Sequence, residues 1–201
     1  MTSDEMLLLN GAVYCKDVIP KELAKYLTHV LLRKNAMEGR KGDSQIPNAL
    51  AIIDHELFLE TLHEKIWPAL EQIVGKPLLP TYTYARLYSN GDILEKHKDR
   101  PACEISVTVQ LGRSHNYAWP IFAGDQRFDL AEGDGMVYHG CDIEHWRNKC
   151  DGPPDYYSGQ AFFHFVKADG VHADHAGDPE SGRILPPNSY IKHRTFAMES
   201  K

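Results

Sequence analysis

Two stretches of the chain place apolar side chains at helical spacing. In residues 20–33 and 54–74, apolar residues recur every three or four positions, which predicts two amphipathic helices. Pro20 suits the start of the first helix, Asp54 is expected to cap the second, and Gly75 to end it. Pro68 is expected to kink or split the second helix. The apolar positions are Leu23, Leu27, Val30, Leu31, Leu57, Phe58, Leu62, Ile66, Leu70 and Ile73.

After Pro80 the pattern changes to a period of two. Residues 82–88 and 105–111 alternate between aromatic or β-branched side chains and smaller or polar ones, as exposed and buried faces of strands do. Turn residues separate further short segments at 119–122, 127–130, 136–138 and 160–166. Two helices followed by many short strands predict a mostly β fold with some α: a jelly-roll core, or double-stranded β-helix, supported by N-terminal helices.

The organisation that follows is one domain over residues 1–168, with the barrel at about 80–167. Residues 169–201 are polar and rich in Gly and Pro, and are expected to form a C-terminal extension that is ordered only if it packs back onto the barrel. The loop at 34–48 and this extension are both placed to form a lid. On the strand at 105–111, Ser106, Thr108 and Gln110 share one face and are expected to line a pocket if that face is inward. The alternative is an outward polar face, which is less expected because Ile105, Val107 and Val109 would fill the opposite, buried side.

Composition narrows the range of partners. A formal net charge of −6 and the lack of a clustered basic patch argue against nucleic acid. No stretch approaches the about 20 apolar residues of a membrane span, and the N-terminus lacks the pattern of a signal peptide, so the expected location is cytoplasmic. The four cysteines are scattered without a CxxC pair, which favours free thiols over a structural zinc site.

Ligand-type side chains concentrate at two places. His97 and Asp99 are separated by one residue and therefore share one face of an extended segment, and His145 follows 48 residues after His97. A His-x-Asp pair with a distant His is the facial triad of non-haem iron(II) oxygenases. Taken alone, a His-x-Asp pair is more often a solvated surface turn. A different distal ligand is also open, since His139, Cys141, Asp142 and Glu144 crowd the region of His145.

The order of these motifs resembles the prolyl-4-hydroxylase-like superfamily of 2-oxoglutarate/iron(II) oxygenases. Residues 86–99, with a Tyr and a Gly before His-x-Asp, resemble its entry motif, and residues 133–138 followed by His145 resemble its turn, strand and distal histidine. The resemblance implies iron(II) on His97, Asp99 and His145, with 2-oxoglutarate as cosubstrate, O2 as oxidant and ascorbate as a further candidate cofactor. It implies hydroxylation of a C–H bond in a peptide, amino acid or small molecule.

The chain departs from this family at one position. About ten residues after the distal His, the family usually has a Lys or Arg that binds the far carboxylate of 2-oxoglutarate. Here Asp155 occupies the tenth position, and the following strand begins with Gln160. A buried dicarboxylate still needs a cationic partner. The cosubstrate candidates are therefore Arg147, which shares strand parity with His145, then Arg100 and Lys167, together with Gln160 and Tyr88, which resembles the family tyrosine that bonds the cosubstrate.

Three other functions are compatible with the residues. One is a cupin-like metal dioxygenase that does not use 2-oxoglutarate, which the missing downstream Lys or Arg makes plausible. Another is a non-catalytic jelly-roll binding module in which His97 and Asp99 are incidental. The last is an interaction protein that uses the polar extension at 169–201 as an arm. The sequence indicates a small-molecule or peptide substrate but neither its identity nor an oligomeric state.

Overall fold

The computed structural model describes residue 7 and residues 9–54 and 56–179. Within these residues, two long helices precede most of the strands, and short 3₁₀ turns lie at Pro101–Cys103 and Ala173–His175. The helices are α1 (Lys21–Glu38) and α2 (Leu57–Val74). The strands are β1 (Ala12–Cys15), β2 (Ala51–Asp54), β3 (Leu78–Ser89), β4 (Leu94–His97), β5 (Ile105–Arg113), β6 (Ile121–Ala123), β7 (Gln126–Phe128), β8 (Gly135–Tyr138), β9 (His145–Arg147) and β10 (Tyr157–Lys167).

The strands form two antiparallel sheets. The larger sheet has the order β1-β8-β5-β10-β3-β2, and the smaller has the order β4-β9-β6-β7. Within the larger sheet, β10 pairs with β3 along most of both strands, and a register shift falls between Phe163 and Phe165. The predicted mostly β architecture is confirmed. The short strands β4 and β9, which carry the histidines of interest, were not predicted as strands.

Both helices pack on one face of the larger sheet. Leu27 and Leu31 of α1 and Leu70 of α2 belong to one buried apolar cluster with Val107 and Val109 of β5. Burial of such side chains contributes roughly 1.5–3 kcal/mol each relative to exposure. The apolar positions that predicted the two helices therefore pack against the sheet, except Leu57, which is 80% exposed.

The helix ends differ from prediction in two details. Asp54 ends β2, and Glu56 stands at the N-cap of α2 without a side-chain cap hydrogen bond, so the prediction that Asp54 caps this helix is wrong. Asp54 pairs with Tyr84 in the sheet, and the helix begins three residues later at Leu57, so Asp54 does not occupy the position next to the first helical residue that a capping side chain needs. Pro68 lies inside α2, which continues across it to Val74, so Pro68 does not split the helix.

The polar face of β5 is buried inside the fold. Thr108 donates to Gln160 on β10, and the Gln110 side chain bonds Ser158 at 3.1 Å. Ser106 bonds His164, also on β10, at 3.0 Å. The prediction that these three polar residues of β5 line a pocket is wrong, because none of them lines the cavity described below. Their side chains bond β10 across the strand pair, and Ser106 also bonds Asp99.

The chain after β10 packs back against the beginning of β3. Ala168 N donates to Pro77 O and Gly177 N donates to Pro80 O, both at 2.9 Å. The Asp178 carboxylate forms two hydrogen bonds with Arg100. The predicted extension at 169–201 is thus attached along residues 169–178, and its remainder from residue 180 lies outside the described residues. Among the described helices, none combines the length and the apolar content needed to cross a membrane.

Candidate active site

His97 and His145 lie opposite each other on neighbouring strands. They are register partners in the β4–β9 pair, and their ring centroids are 4.3 Å apart. The Nε2 atoms of His97 and His145 lie 3.5 and 3.4 Å from the same oxygen, Oδ1 of Asp99. The ligand atoms of all three residues fall within 4.8 Å of one another, so the structure brings the predicted triad together.

The backbone sets the orientation of both imidazoles. Nδ1 of His97 is 2.7 Å from Glu95 O, and Nδ1 of His145 is 3.1 Å from Ile143 O. Because a carbonyl oxygen only accepts, each Nδ1 must carry a proton and donate it. In the neutral form that binds a metal, each ring would then direct its Nε2 lone pair toward Asp99, which is the arrangement that metal-binding histidines adopt.

Asp99 is positioned by residues from three other parts of the chain. Its backbone N donates to Gly140 O at 2.8 Å, and Ser106 Oγ donates to its Oδ2 at 3.1 Å. Burial by itself would raise the pKa of Asp99, but hydrogen bonds from His145 and His97 outweigh burial and lower the pKa below its ordinary value. The group is therefore a carboxylate, with Oδ1 facing the imidazoles.

The triad lies in the wall of a cavity of about 610 Å³. Aromatic side chains from β3 and β10 stack along one side: Tyr84 on Phe162 with centroids 4.4 Å apart, and Tyr82 on His164 at 4.5 Å. His164 Nδ1 bonds Ser106, and burial lowers the pKa of this imidazole to about 4, so the ring is neutral. The cavity therefore combines three convergent ligand atoms with an uncharged aromatic wall.

Two of the predicted cosubstrate residues line this cavity. Tyr88 is fully buried, and its hydroxyl accepts a hydrogen bond from Arg86 Nη1 at 3.0 Å. The Arg100 guanidinium stacks over Tyr82 at 4.6 Å and pairs with both oxygens of Asp178 at 2.6 and 2.7 Å. Arg100 is thus at the cavity but already holds a carboxylate of the same chain.

The other predicted cosubstrate residues lie away from the cavity wall. The buried guanidinium of Arg147 donates to Trp119 O and lies 4.9 Å from the centroid of that ring. Gln160 bonds Thr108 and Gln110 inside the fold. Lys167 Nζ pairs with Glu104 Oε1 at 3.0 Å. Strand parity correctly indicated that Arg147 is buried. It did not indicate that the guanidinium lies against Trp119 and not at the cavity.

The alternative distal ligands lie outside the group formed with His97 and Asp99. His139 faces Asp142 at 4.0 Å, and Glu144 faces Lys96 at 3.5 Å. A second ligand-type group does occur, formed by Asp99, Cys103 and His164, and it shares Asp99 with the triad. Its thiol is buried, and burial raises the pKa of Cys103 well above its usual value, which disfavours the thiolate form that binds metals.

Among the cavity residues that were not assigned a role from the sequence are Arg86, Asp43 and Gln45. Arg86 is 2% exposed and lies two residues before Tyr88 on β3. Its strand parity with Tyr88 was the available signal, since alternate residues face the same side. Asp43 and Gln45 lie in the connection between α1 and β2, whose path no periodic pattern predicts.

Comparison with known proteins relates the chain to others by its fold. No family model and no curated protein matches the sequence. A prolyl-4-hydroxylase of Pseudomonas putida matches with a TM-score of 0.60 at 15% identity over 81% of this chain and 96% of that one. The carbocyclase SnoK from nogalamycin biosynthesis matches with a TM-score of 0.65 at 10% identity over 95% and 89%. HygX of Streptomyces hygroscopicus matches with a TM-score of 0.60 at 9% identity over 80% and 85%.

These likenesses establish the fold. The chain has the fold of 2-oxoglutarate- and iron-dependent oxygenases, which confirms at that level the resemblance seen in residues 86–99 and 133–145. Since identity is at most 16% among the neighbours considered, the chemistry has to be argued from the site of this chain.

Proposed function

We propose that this protein is an iron(II)- and 2-oxoglutarate-dependent dioxygenase, built on a double-stranded β-helix, that hydroxylates a C–H bond of a peptide, amino acid or small molecule. The observation that carries the proposal is the convergence of two imidazole Nε2 atoms and one carboxylate oxygen from His97, His145 and Asp99. This donor set holds non-haem iron(II) on one face and leaves the remaining positions open. The nickel and 2-oxoglutarate bound in HygX support the same assignment.

The three residues suit a resident metal ion. His97 and His145 would each offer an Nε2 lone pair, because their Nδ1 protons are held by carbonyl oxygens. Asp99 would offer Oδ1, while Ser106 keeps Oδ2 occupied and the carboxylate oriented. When bound, iron(II) with 2-oxoglutarate supplies the activation of O2 that hydroxylation of a C–H bond requires.

The surrounding side chains would orient the substrate and exclude water. Tyr82, Tyr84 and Phe162 form a continuous aromatic surface beside the triad, and Leu94 and Ile121 add apolar area. Burial raises the pKa of Tyr82 and Tyr84 well above the usual value, so both phenols stay neutral at physiological pH. Such a wall would take an uncharged part of a substrate and shield the reacting C–H bond from solvent.

Iron binding and succinate formation test the proposal. The wild-type protein is expected to bind one iron(II) per chain and to convert 2-oxoglutarate to succinate in an iron- and O2-dependent reaction. His97→Ala and Asp99→Ala are expected to lose both properties, whereas His115→Ala, at a partly exposed histidine that pairs with Asp155, is expected to keep them.

Three results would contradict this assignment. Retained iron binding and turnover in His97→Ala or Asp99→Ala would remove those residues from the metal site. Iron-dependent O2 consumption that does not need 2-oxoglutarate would favour a cupin-like dioxygenase, and failure to bind any divalent metal would favour a non-catalytic binding module.

A further inference from the structure

A buried guanidinium faces the cavity beside the triad. Arg86 on β3 is register partner to Gln160 on β10, so it stands one strand away from the position where the sequence lacks a basic residue. Its Nε has no hydrogen-bond partner among the described residues. A buried cation requires an anion and a full set of hydrogen bonds, and an unmet donor at a cavity indicates a place for a ligand.

The anion that now neutralises Arg86 comes from an outer segment. Nη2 of Arg86 donates to Asp43, whose side chain is 37% exposed. Nη1 donates to Gln45 Oε1 at 3.1 Å and to Tyr88 Oη at 3.0 Å. Because Tyr88 Oη accepts from Arg86, its own proton is available to a second acceptor. Arg86 and Tyr88 together thus offer the donors that a carboxylate needs.

Gln45 spans the space between this guanidinium and the triad. Its Nε2 lies 3.0 Å from His97 Nε2, the nitrogen that faces Asp99, while its Oε1 accepts from Arg86. The nitrogen and oxygen of one amide lie about 2.3 Å apart, so Arg86 Nη1 is at most about 9 Å from His97 Nε2. An extended five-carbon diacid places its carboxyl carbons about 5 Å apart. A metal bond at one end and a hydrogen bond to Arg86 at the other would account for the rest of the distance between Arg86 Nη1 and His97 Nε2.

We propose that Arg86 binds the distal carboxylate of the 2-oxo diacid, and that Asp43 and Gln45 occupy this space until the ligand replaces them. The inference rests on the proposed function. One carboxylate replaces another on the same guanidinium, so the buried charge stays paired throughout. Metal binding at His97 Nε2 would itself displace the Gln45 amide from that nitrogen. Asp43 is therefore the group that competes with the distal carboxylate in the iron-loaded protein. The connection between α1 and β2 therefore acts as the cover of the cosubstrate site.

Binding of two 2-oxo acids to the metal-loaded protein tests this inference without turnover. 2-Oxoglutarate and pyruvate share the chelating end, but only 2-oxoglutarate has the distal carboxylate. Their Kd values are measured anaerobically by calorimetry on the iron(II)-loaded chain. Arg86→Gln is expected to weaken 2-oxoglutarate binding about 30-fold or more while changing pyruvate binding less than about 3-fold, as for loss of one buried charge pair. Arg100→Gln and Arg147→Gln are the matched comparisons and are expected to leave this selectivity unchanged.

Asp43→Asn is expected to change the Kd of 2-oxoglutarate in the opposite direction to Arg86→Gln. It also removes a partly exposed charge and not a buried one. Without the competing carboxylate, 2-oxoglutarate is expected to bind about 3- to 10-fold more tightly, with pyruvate unchanged. Equal losses for both acids in Arg86→Gln, selective loss in Arg100→Gln or Arg147→Gln instead, or no tightening in Asp43→Asn would each overturn the inference. Those outcomes leave the proposed function intact, whereas a wild-type protein that binds iron but neither acid would contradict the proposed function itself.

Discussion

Gly140 lies against the Asp99 carboxylate with no room for a side chain. A Cβ placed on Gly140 would lie 2.5 Å from Asp99 Oδ2 and 2.8 Å from Ser106 Oγ, and closer still to the Cys103 carbonyl oxygen. The same glycine accepts a hydrogen bond from Asp99 N. The turn before β9 and the segment after β4 therefore approach each other closely because residue 140 is a glycine.

Gly140→Ala is expected to displace Asp99 and lower iron(II) affinity. The Cβ would meet backbone as well as side chain, so the chain must shift, at a cost in the free energy of unfolding of roughly 1–3 kcal/mol. Metal titration and urea unfolding check the two effects. Gly159→Ala, where the nearest atom would be 3.3 Å away, is expected to be milder and to leave metal affinity unchanged. Full metal affinity in Gly140→Ala would show that its close contact does not position Asp99.

Ser106→Ala is expected to weaken metal binding by roughly 10- to 100-fold, because it removes the hydrogen bond that orients Asp99 Oδ2. It also leaves Nδ1 of the buried His164 without its serine partner, at about 1–3 kcal/mol of stability. Ser158→Ala is the matched control, since Ser158 is equally buried but bonds Gln110. If both variants lost metal affinity equally, the effect would come from general destabilisation and not from Asp99.

His164 should make the protein less stable in acid. Burial lowers the pKa of His164 to about 4, whereas an unfolded histidine titrates near 6.5. Between pH 6.5 and pH 4 the unfolded chain binds a proton that the folded chain does not. The free energy of unfolding therefore decreases as the pH is lowered, by roughly 3 kcal/mol over this range. Urea midpoints from pH 7 to 4, with chelator present, should decline less steeply for His164→Asn than for wild type. The exposed His29→Asn should retain the wild-type slope, and equal slopes for all three proteins would contradict the assignment.

Asp178→Asn should loosen the segment that follows β10. The paired Arg100 is partly exposed, so the expected loss of stability is only about 1 kcal/mol or less. The sharper readout is limited proteolysis, in which cleavage after residue 168 should become faster. Asp129→Asn, which breaks the surface pair with Arg127, serves as the control and should leave that cleavage rate as in wild type. Unchanged cleavage in Asp178→Asn would mean that the backbone hydrogen bonds of Ala168 with Pro77 and of Gly177 with Pro80 hold the segment without Arg100.

The sequence predicted those features that repeat along the chain or lie close together in it. Helical spacing predicted α1 and α2, and period-two alternation predicted the long strands. The triad could be predicted because His97 and Asp99 are two residues apart, and the motif order around His145 resembled a known family. The strands that carry the histidines, β4 and β9, have only four and three residues, too few to show alternation.

The cosubstrate residues were harder to predict because their roles depend on depth and on partners. Arg147 and Arg86 both have strand parity that turns them inward, but parity does not indicate that Arg147 reaches Trp119 while Arg86 reaches the cavity. Asp43 and Gln45 come from an irregular connection, and their contacts with Arg86 depend on the tertiary fold alone. A polar strand face such as that of β5 has the same sequence pattern whether its side chains line a cavity or bond to a neighbouring strand.

Because His97 and His145 are direct register partners, the distance between the two metal-ligand side chains does not depend on how many residues lie between them in the sequence. One rung of a two-stranded ladder sets the spacing of both imidazoles, so the 47 residues that intervene do not determine it. Insertions or deletions in the β5–β6 or β7–β8 connections can therefore occur without moving the ligands. A slip of β9 by one residue would turn His145 to the opposite face, so variation in this protein should be tolerated in loop length but not in the register of these two short strands.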